Sequence, residues 1–291
     1  MKTDIKKHKF IDLFAGIGGF HLAFHNSGAE CVWVSEWDTP ARKTYEHNFK
    51  KLSPDVFEKD CFAGDITKVN PDDIPDFDIL TGGFPCQPFS QAGKKLGFNE
   101  TRGTLFFNIA NILKVKQPKA FFIENVRNLL AHDGGKTFET MRGVIEDLGY
   151  SFHYKIVKAS DFGLPTHRPR LFMVGFRDKT IPFEFPQPIP LTKTMSDIFG
   201  GQCEKKVGYT LRVGGKGSGL NDRRNWDTYL VDGKVHRITV DEAKRLMGFP
   251  DDFEFPVSNT QAMKQLGNSV AVNAIQATAE KVMEALNTYA K

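Results

Sequence analysis

Lys9-Phe10-Ile11-Asp12-Leu13-Phe14-Ala15-Gly16-Ile17-Gly18-Gly19 sets the rhythm of this 291-residue chain. Lys9–Phe14 reads as a buried strand, the glycine run as a tight turn, and the residues through about Ser27 as a helix. Glu30–Ser35 reads as a second strand. Residues 38–49 follow as a helix, with Asp38 or Thr39 at its start and Pro40 at an early position. Further strands are predicted at 76–80, 119–123, 151–158 and 171–176, and helices at 103–116 and 136–148. Short apolar strands alternating with helices imply an α/β fold with a doubly wound, mostly parallel sheet.

The texture changes at Ile181–Pro190, where four prolines in ten residues read as a linker. A loop-rich block follows to about residue 235, holding glycines 214, 215, 217 and 219. Helical pattern returns at Thr239–Met247, closed by Gly248 and Pro250, and again from Val270 to Tyr289. The organisation expected is one large domain, 1–187 plus 258–291, with a small second domain and hinge at 188–257.

The chain is long enough to bury a sizeable core, with 40% hydrophobic residues. No apolar run approaches 18 residues, so no membrane span is expected. The charged start MKTDIKKHKF has no apolar stretch behind it, which argues against a secretory signal. Cysteines 31, 61, 86 and 203 have no paired spacing. Free thiols in a reducing cytoplasm are expected, and no metal site. Residues 151–250 carry 17 Lys and Arg against 10 Asp and Glu. That block either faces a polyanion such as DNA or RNA, or is an ordinary basic surface.

The turn after the first strand favours a ligand at a helix N-terminus. It departs from the dinucleotide pattern, because His21 occupies the third glycine position. Glu36, 20 residues beyond Gly16, ends the second strand where a carboxylate can accept ribose hydroxyls. Trp37 could stack on a purine, and Asp65 suits its amino group. A second loop, Gly82-Gly83-Phe84-Pro85-Cys86-Gln87-Pro88-Phe89-Ser90, hangs one thiol beyond an apolar strand. Cys86 reads either as a nucleophile held out of the core or as a small buried hydrophobe. Gln91–Arg102, with Gly93, Gly97, Lys94 and Lys95, reads as a mobile lid or a plain surface loop.

Six segments, in order, resemble the C5-cytosine DNA methyltransferases of restriction–modification systems. They are Phe14–Phe20, Gly83–Gln87, Glu124-Asn125-Val126, Arg168-Pro169-Arg170, Arg237–Pro250 and Gly267-Asn268-Ser269-Val270. The resemblance spans the chain except for roughly 185–235. It implies a class I S-adenosyl-L-methionine-dependent fold with a small loop- and β-rich target-recognition domain. It also implies S-adenosyl-L-methionine as methyl donor, leaving as S-adenosyl-L-homocysteine. Donor-binding residues would be Phe14, Gly16, Ile17, Gly18, Gly19, Glu36, Trp37, Asp65, Ile66, Pro85, Asn268, Ser269 and Val270. Double-stranded DNA would meet Gln87, Ser90, Lys94, Arg102, Thr210, Arg212, Lys216, Arg223 and Arg224. A separate cognate endonuclease and a cytoplasmic monomer complete the expectation.

By the same resemblance Cys86 attacks C6 of a flipped cytosine, and Glu124 is the acid at N3. Arg168 and Arg170 hold the cytosine O2, or else grip phosphates. Thr166 stands where the family usually has Gln. The alternatives are an RNA (tRNA) C5-cytosine methyltransferase and a binding protein without catalysis.

Overall fold

Every side chain of Lys9–Leu13 after Lys9 is buried, as a strand covered on both faces requires. The computed structural model describes residues 7–85, 105–213 and 219–289. In chain order the elements begin β1 (Lys9–Leu13), α1 (Gly19–Asn26), β2 (Glu30–Ser35), α2 (Thr39–Phe49), α3 (Pro54–Glu58) and β3 (Phe62–Ala63). Next come β4 (Ile79–Gly83), α4 (Leu105–Lys116), β5 (Ala120–Val126), α5 (Lys136–Asp147), β6 (His153–Val157) and β7 (Arg170–Phe176). The rest are α6 (Met195–Phe199), β8 (Thr228–Val231), β9 (Lys234–Arg237), α7 (Val240–Leu246), α8 (Asn259–Asn268) and α9 (Val272–Tyr289).

Strands β1–β7 form one sheet in the order β3-β2-β1-β4-β5-β7-β6. Only β7 runs against its neighbours. This is the doubly wound, mostly parallel sheet expected from the sequence. Alternate residues feed two cores. Phe10, Ile79 and Phe122 face α1, α2 and α9, while Ile11, Leu80 and Phe121 face α4 and α5. The first core continues into Met195, Ile198, Leu211, Tyr229, Ile238 and Leu246. No helix among the described residues is long and apolar enough to cross a membrane.

Three sequence expectations change. Ile181–Pro190 is no free linker: Ile181 is buried, and the Phe183 ring packs on Phe176 and His153. Its prolines exclude helix, but its aromatics strap the chain onto the sheet. The loop-rich block contains the β8–β9 hairpin. Its turn is Asp232-Gly233, both at left-handed φ (49° and 72°), the geometry that matches strand twist. Strand β4 runs to Gly83, because Leu13 of β1 and Ile123 and Glu124 of β5 pair with glycines that read as turn.

The turn between β1 and α1 is tightly specified. Gly18 caps α1 at φ 84°, and any Cβ there would overlap the Phe49 ring. The Asp12 carboxyl, inside β1, lies near the His21 amide in the first turn of α1, which tempers the rise that burial imposes on its pKa. Gly18→Ala combines a strained φ with overpacking, so it should lower unfolding free energy by about 2–4 kcal/mol. Urea denaturation measures this; a change below about 0.5 kcal/mol, the range of ordinary surface substitutions, would contradict the packing described.

Candidate active site

The carboxyl ends of β1, β2, β4 and β5 open into one cavity of about 810 Å³. Strand order reverses between β1 and β4, so the cavity sits at the switch point where open α/β sheets bind ligands. The order β2-β1-β4-β5 ranks the lining along the rim. Glu36 and Trp37 follow β2, Phe14, Gly16 and Ile17 follow β1, Pro85 follows β4, and Glu124 stands in β5. Asp65 and Ile66 close one end; Thr210–Val213 and Gly267–Ser269 form the remaining walls.

Glu36 is fixed by the turn it serves. Its Oε2 accepts the Gly16 N–H at 2.7 Å and its Oε1 the Asp38 N–H at 2.8 Å. Burial raises its pKa, and these backbone donors oppose that rise. Beside it the Trp37 ring is 79% exposed, an aromatic face free for stacking at the rim. Asp65 Oδ1 accepts both the N–H and the hydroxyl of Thr67, which lowers its pKa and keeps it charged. A purine nucleoside with two free ribose hydroxyls fits these three groups.

The other end brings a buried acid and an arginine together. Glu124 is buried, and its Oε1 meets Arg170 Nε at 2.9 Å across the antiparallel β5–β7 pair. Burial raises the Glu124 pKa; Arg170, then Arg168, hold it down. A Cβ on Gly83 would lie 3.3 Å from Glu124 Oε2, so the acid packs against the strand that leads to Pro85. Asn125 Nδ2 donates to Phe84 O at 2.9 Å and ties the start of that loop to β5. Only the Glu-Asn-Val motif marked Asn125 in the sequence; its tethering role needed the fold.

Other expected residues are placed differently. Arg168 does not line the cavity. It is 2% exposed and donates to the backbone carbonyls of Leu211, Gly267 and Ser269, a buried brace in place of an O2 ligand. Gly18, Gly19 and Val270 also lie behind the wall. A Cβ on Gly19 would come within 2.5 Å of Val270 Cγ2, so these residues shape the turn by close packing. Thr210 and Arg212 line the cavity, whereas Arg223 and Arg224 are exposed away from it. Cys86, Gln87, Ser90, Lys94, Arg102 and Lys216, with the Gln91–Arg102 segment, lie outside the described residues.

The sequence reading missed α8, whose Gln261, Lys264, Gln265 and Asn268 all line the cavity. Their spacing of three, four and seven is one helical face. Ser258, whose side chain accepts the Gln261 N–H, was the available start signal.

A profile described as C-5 cytosine-specific DNA methylase matches residues 8–216 and 214–284. Type II methyltransferase M.SsoII of Shigella sonnei is 44% identical over 97% of this chain and 82% of its own length. Type II methyltransferase M.HhaI of Haemophilus parahaemolyticus is 40% identical over 96% of this chain and 95% of its own. Among solved structures, the S. pombe Dnmt2 methyltransferase covers 97% of this chain and 100% of that one, with TM-score 0.74 at 20% identity. That last likeness carries the fold alone.

Removing Arg170 tests the acid pair. Arg170→Ala should drive the Glu124 titration further upward, read by NMR of the labelled carboxyl, with Glu124→Gln identifying its signal. Stranding the buried carboxylate should also cost about 3–5 kcal/mol. A Glu124 midpoint that stays put in Arg170→Ala would show that the two groups are not electrostatically paired.

Proposed function

The chain belongs to the C-5 cytosine-specific DNA methylase family, and we propose that it methylates C5 of a specific cytosine in double-stranded DNA, drawing the methyl group from S-adenosyl-L-methionine. The observation that carries this reading is Glu124, buried and paired with Arg170 beside the loop that begins at Gly83. Type II methyltransferase relatives at 40–45% identity support a restriction–modification context, in which a separate endonuclease would act on the same target.

The cavity lining fits S-adenosyl-L-methionine. Glu36 would accept the ribose hydroxyls, Trp37 would stack on the adenine, and Asp65 would take the exocyclic amine. Gly16, Ile17, Asn268 and Ser269 would flank the methionine part. Bound there, the donor supplies an electrophilic methyl group for C5. Cytosine in a duplex is out of reach of this cavity, so the target base is flipped into it.

C5 of cytosine is a weak nucleophile until a group adds at C6. The Cys86 thiolate supplies that group, forming an S–C6 bond and pushing the electron pair toward C5. Glu124, protonated, donates to N3 and makes the ring a better acceptor. Arg170 keeps Glu124 in place and offers its remaining donors to O2. After methylation, loss of the C5 proton to a base and departure of Cys86 restore the aromatic ring. Residues 188–257 form the unit that reads the target, with Thr210 and Arg212 facing the flipped base and its phosphates.

Because burial raises the Glu124 pKa, this acid holds its proton to higher pH than a free glutamate. Single-turnover methylation should therefore fall as pH rises through that pKa. In Glu124→Gln that limb should vanish and the rate should drop about 10²–10⁴-fold. A profile with the limb intact would remove Glu124 from the acid role.

Cys86→Ser should reduce transfer by more than about 10³-fold. With 5-fluorocytosine in the target, fluorine cannot leave as the proton does, so the parent enzyme should form an adduct that survives denaturing gels and Cys86→Ser should not. Bisulfite sequencing of methylated DNA reports the position and the target together. Labelled tRNA with unlabelled duplex DNA would reverse the choice of substrate.

A further inference from the structure

Arg168 sits behind the cavity, and the two stretches it holds are both cavity walls. Its guanidinium donates to Leu211 O at 3.3 Å, to Gly267 O at 3.0 Å and to Ser269 O. Residues 210–213 and 267–269 line the same cavity. One planar cation thus joins the segment assigned to DNA with the segment assigned to the methyl donor. Its backbone is held at φ 24°, a left-handed value that a non-glycine residue keeps only when its surroundings impose it.

Neighbouring bonds make the join continuous. Gly208 N donates to Pro165 O at 2.7 Å, and Thr166 Oγ1 donates to Tyr209 O at 2.9 Å. Residues 165, 166 and 168 therefore form a rail for residues 208, 209 and 211. Thr166, in the place of the family's usual Gln, is part of that rail. On the other side a Cβ at Gly267 would lie 2.5 Å from Arg212 O, so the two walls meet backbone to backbone.

We propose that Arg168 is a positioning residue that locks the DNA-facing wall onto the donor-facing wall, so that filling either site raises affinity for the other. This rests on the function proposed above, in which both ligands share the cavity. Each ligand must order the wall it touches. Because the walls share one brace, ordering by the first ligand lowers the entropic cost for the second. Lysine cannot replace this, because its three donors radiate from one atom and cannot span three carbonyls as a planar fork does.

The test measures the dissociation constant of S-adenosyl-L-homocysteine for the full-length protein, alone and saturated with the duplex identified by bisulfite sequencing. Linkage requires the same ratio when the duplex is titrated with and without S-adenosyl-L-homocysteine. The parent ratio should fall in the range of about 5–150-fold. In Arg168→Lys it should collapse to near unity. A merely destabilised protein would weaken both ligands equally and leave the ratio unchanged.

Gly267→Ala, which pushes the walls apart from the opposite side, should reduce the ratio as well and serves if Arg168→Lys does not fold. A parent ratio of one with both ligands bound overturns this inference alone, as does a variant that keeps the parent ratio. Failure of the parent to bind either ligand overturns the proposed function and this inference together.

Discussion

Three carboxyl groups lie buried in or just beyond β1, β2 and β5, strands spanned by β4 in the sheet, and burial calls for a donor beside each. Asp12 of β1 accepts the Thr81 hydroxyl at 3.4 Å and lies near the His21 amide. Glu36, just beyond β2, takes the amides of Gly16 and Asp38. Glu124 of β5 takes Arg170. Desolvation raises all three pKa values, so water is no substitute for these partners. The answers dictate the local backbone. Gly16 must turn its N–H back toward β2, α1 must start directly above Asp12, and β7 must run antiparallel to bring Arg170 opposite Val126. Partnering these buried carboxyl groups and shaping the site are one constraint.

What the sequence reveals follows from how local each signal is. β2 and the starts of α2 and α7 were legible, because burial pattern and caps sit within a few residues. Asp38 accepts the Ala41 N–H, and Thr239 and Glu242 form a reciprocal cap. The Glu36 position was legible from spacing alone, since a strand, a turn and a helix fix how far the second strand end lies from Gly16. The β8–β9 hairpin was missed although Asp232-Gly233 marks it, because the surrounding glycines and arginines dominated the composition. The proline strap was misread because its apolar partners, Phe176 and His153, are distant in sequence.

Arg168 shows the deeper limit. An Arg-Pro-Arg motif carries two guanidiniums that composition cannot tell apart. Strand register separates them. Arg170 is the first residue of β7 and points at Glu124, while Arg168 precedes the strand and turns behind the wall to carbonyls 43 to 101 residues away. A motif fixes which residues meet a site, but only the fold decides which of them face the substrate and which hold the walls.

The cavity draws its walls from several strands whose ends are tied to one another. The cavity residues that follow β1 and β2 and the acid of β5 are separated by β4 alone, and the loop after β4 begins between them. Asn125 fastens the start of that loop to the strand bearing Glu124. The backbone at Phe84 is therefore registered to the strand bearing Glu124. Arg168 registers the opposite pair of walls by the same device, a side-chain donor spent on backbone carbonyls. Both anchors act on the main chain, so the positions of the walls are held without spending the side chains of the anchored segments.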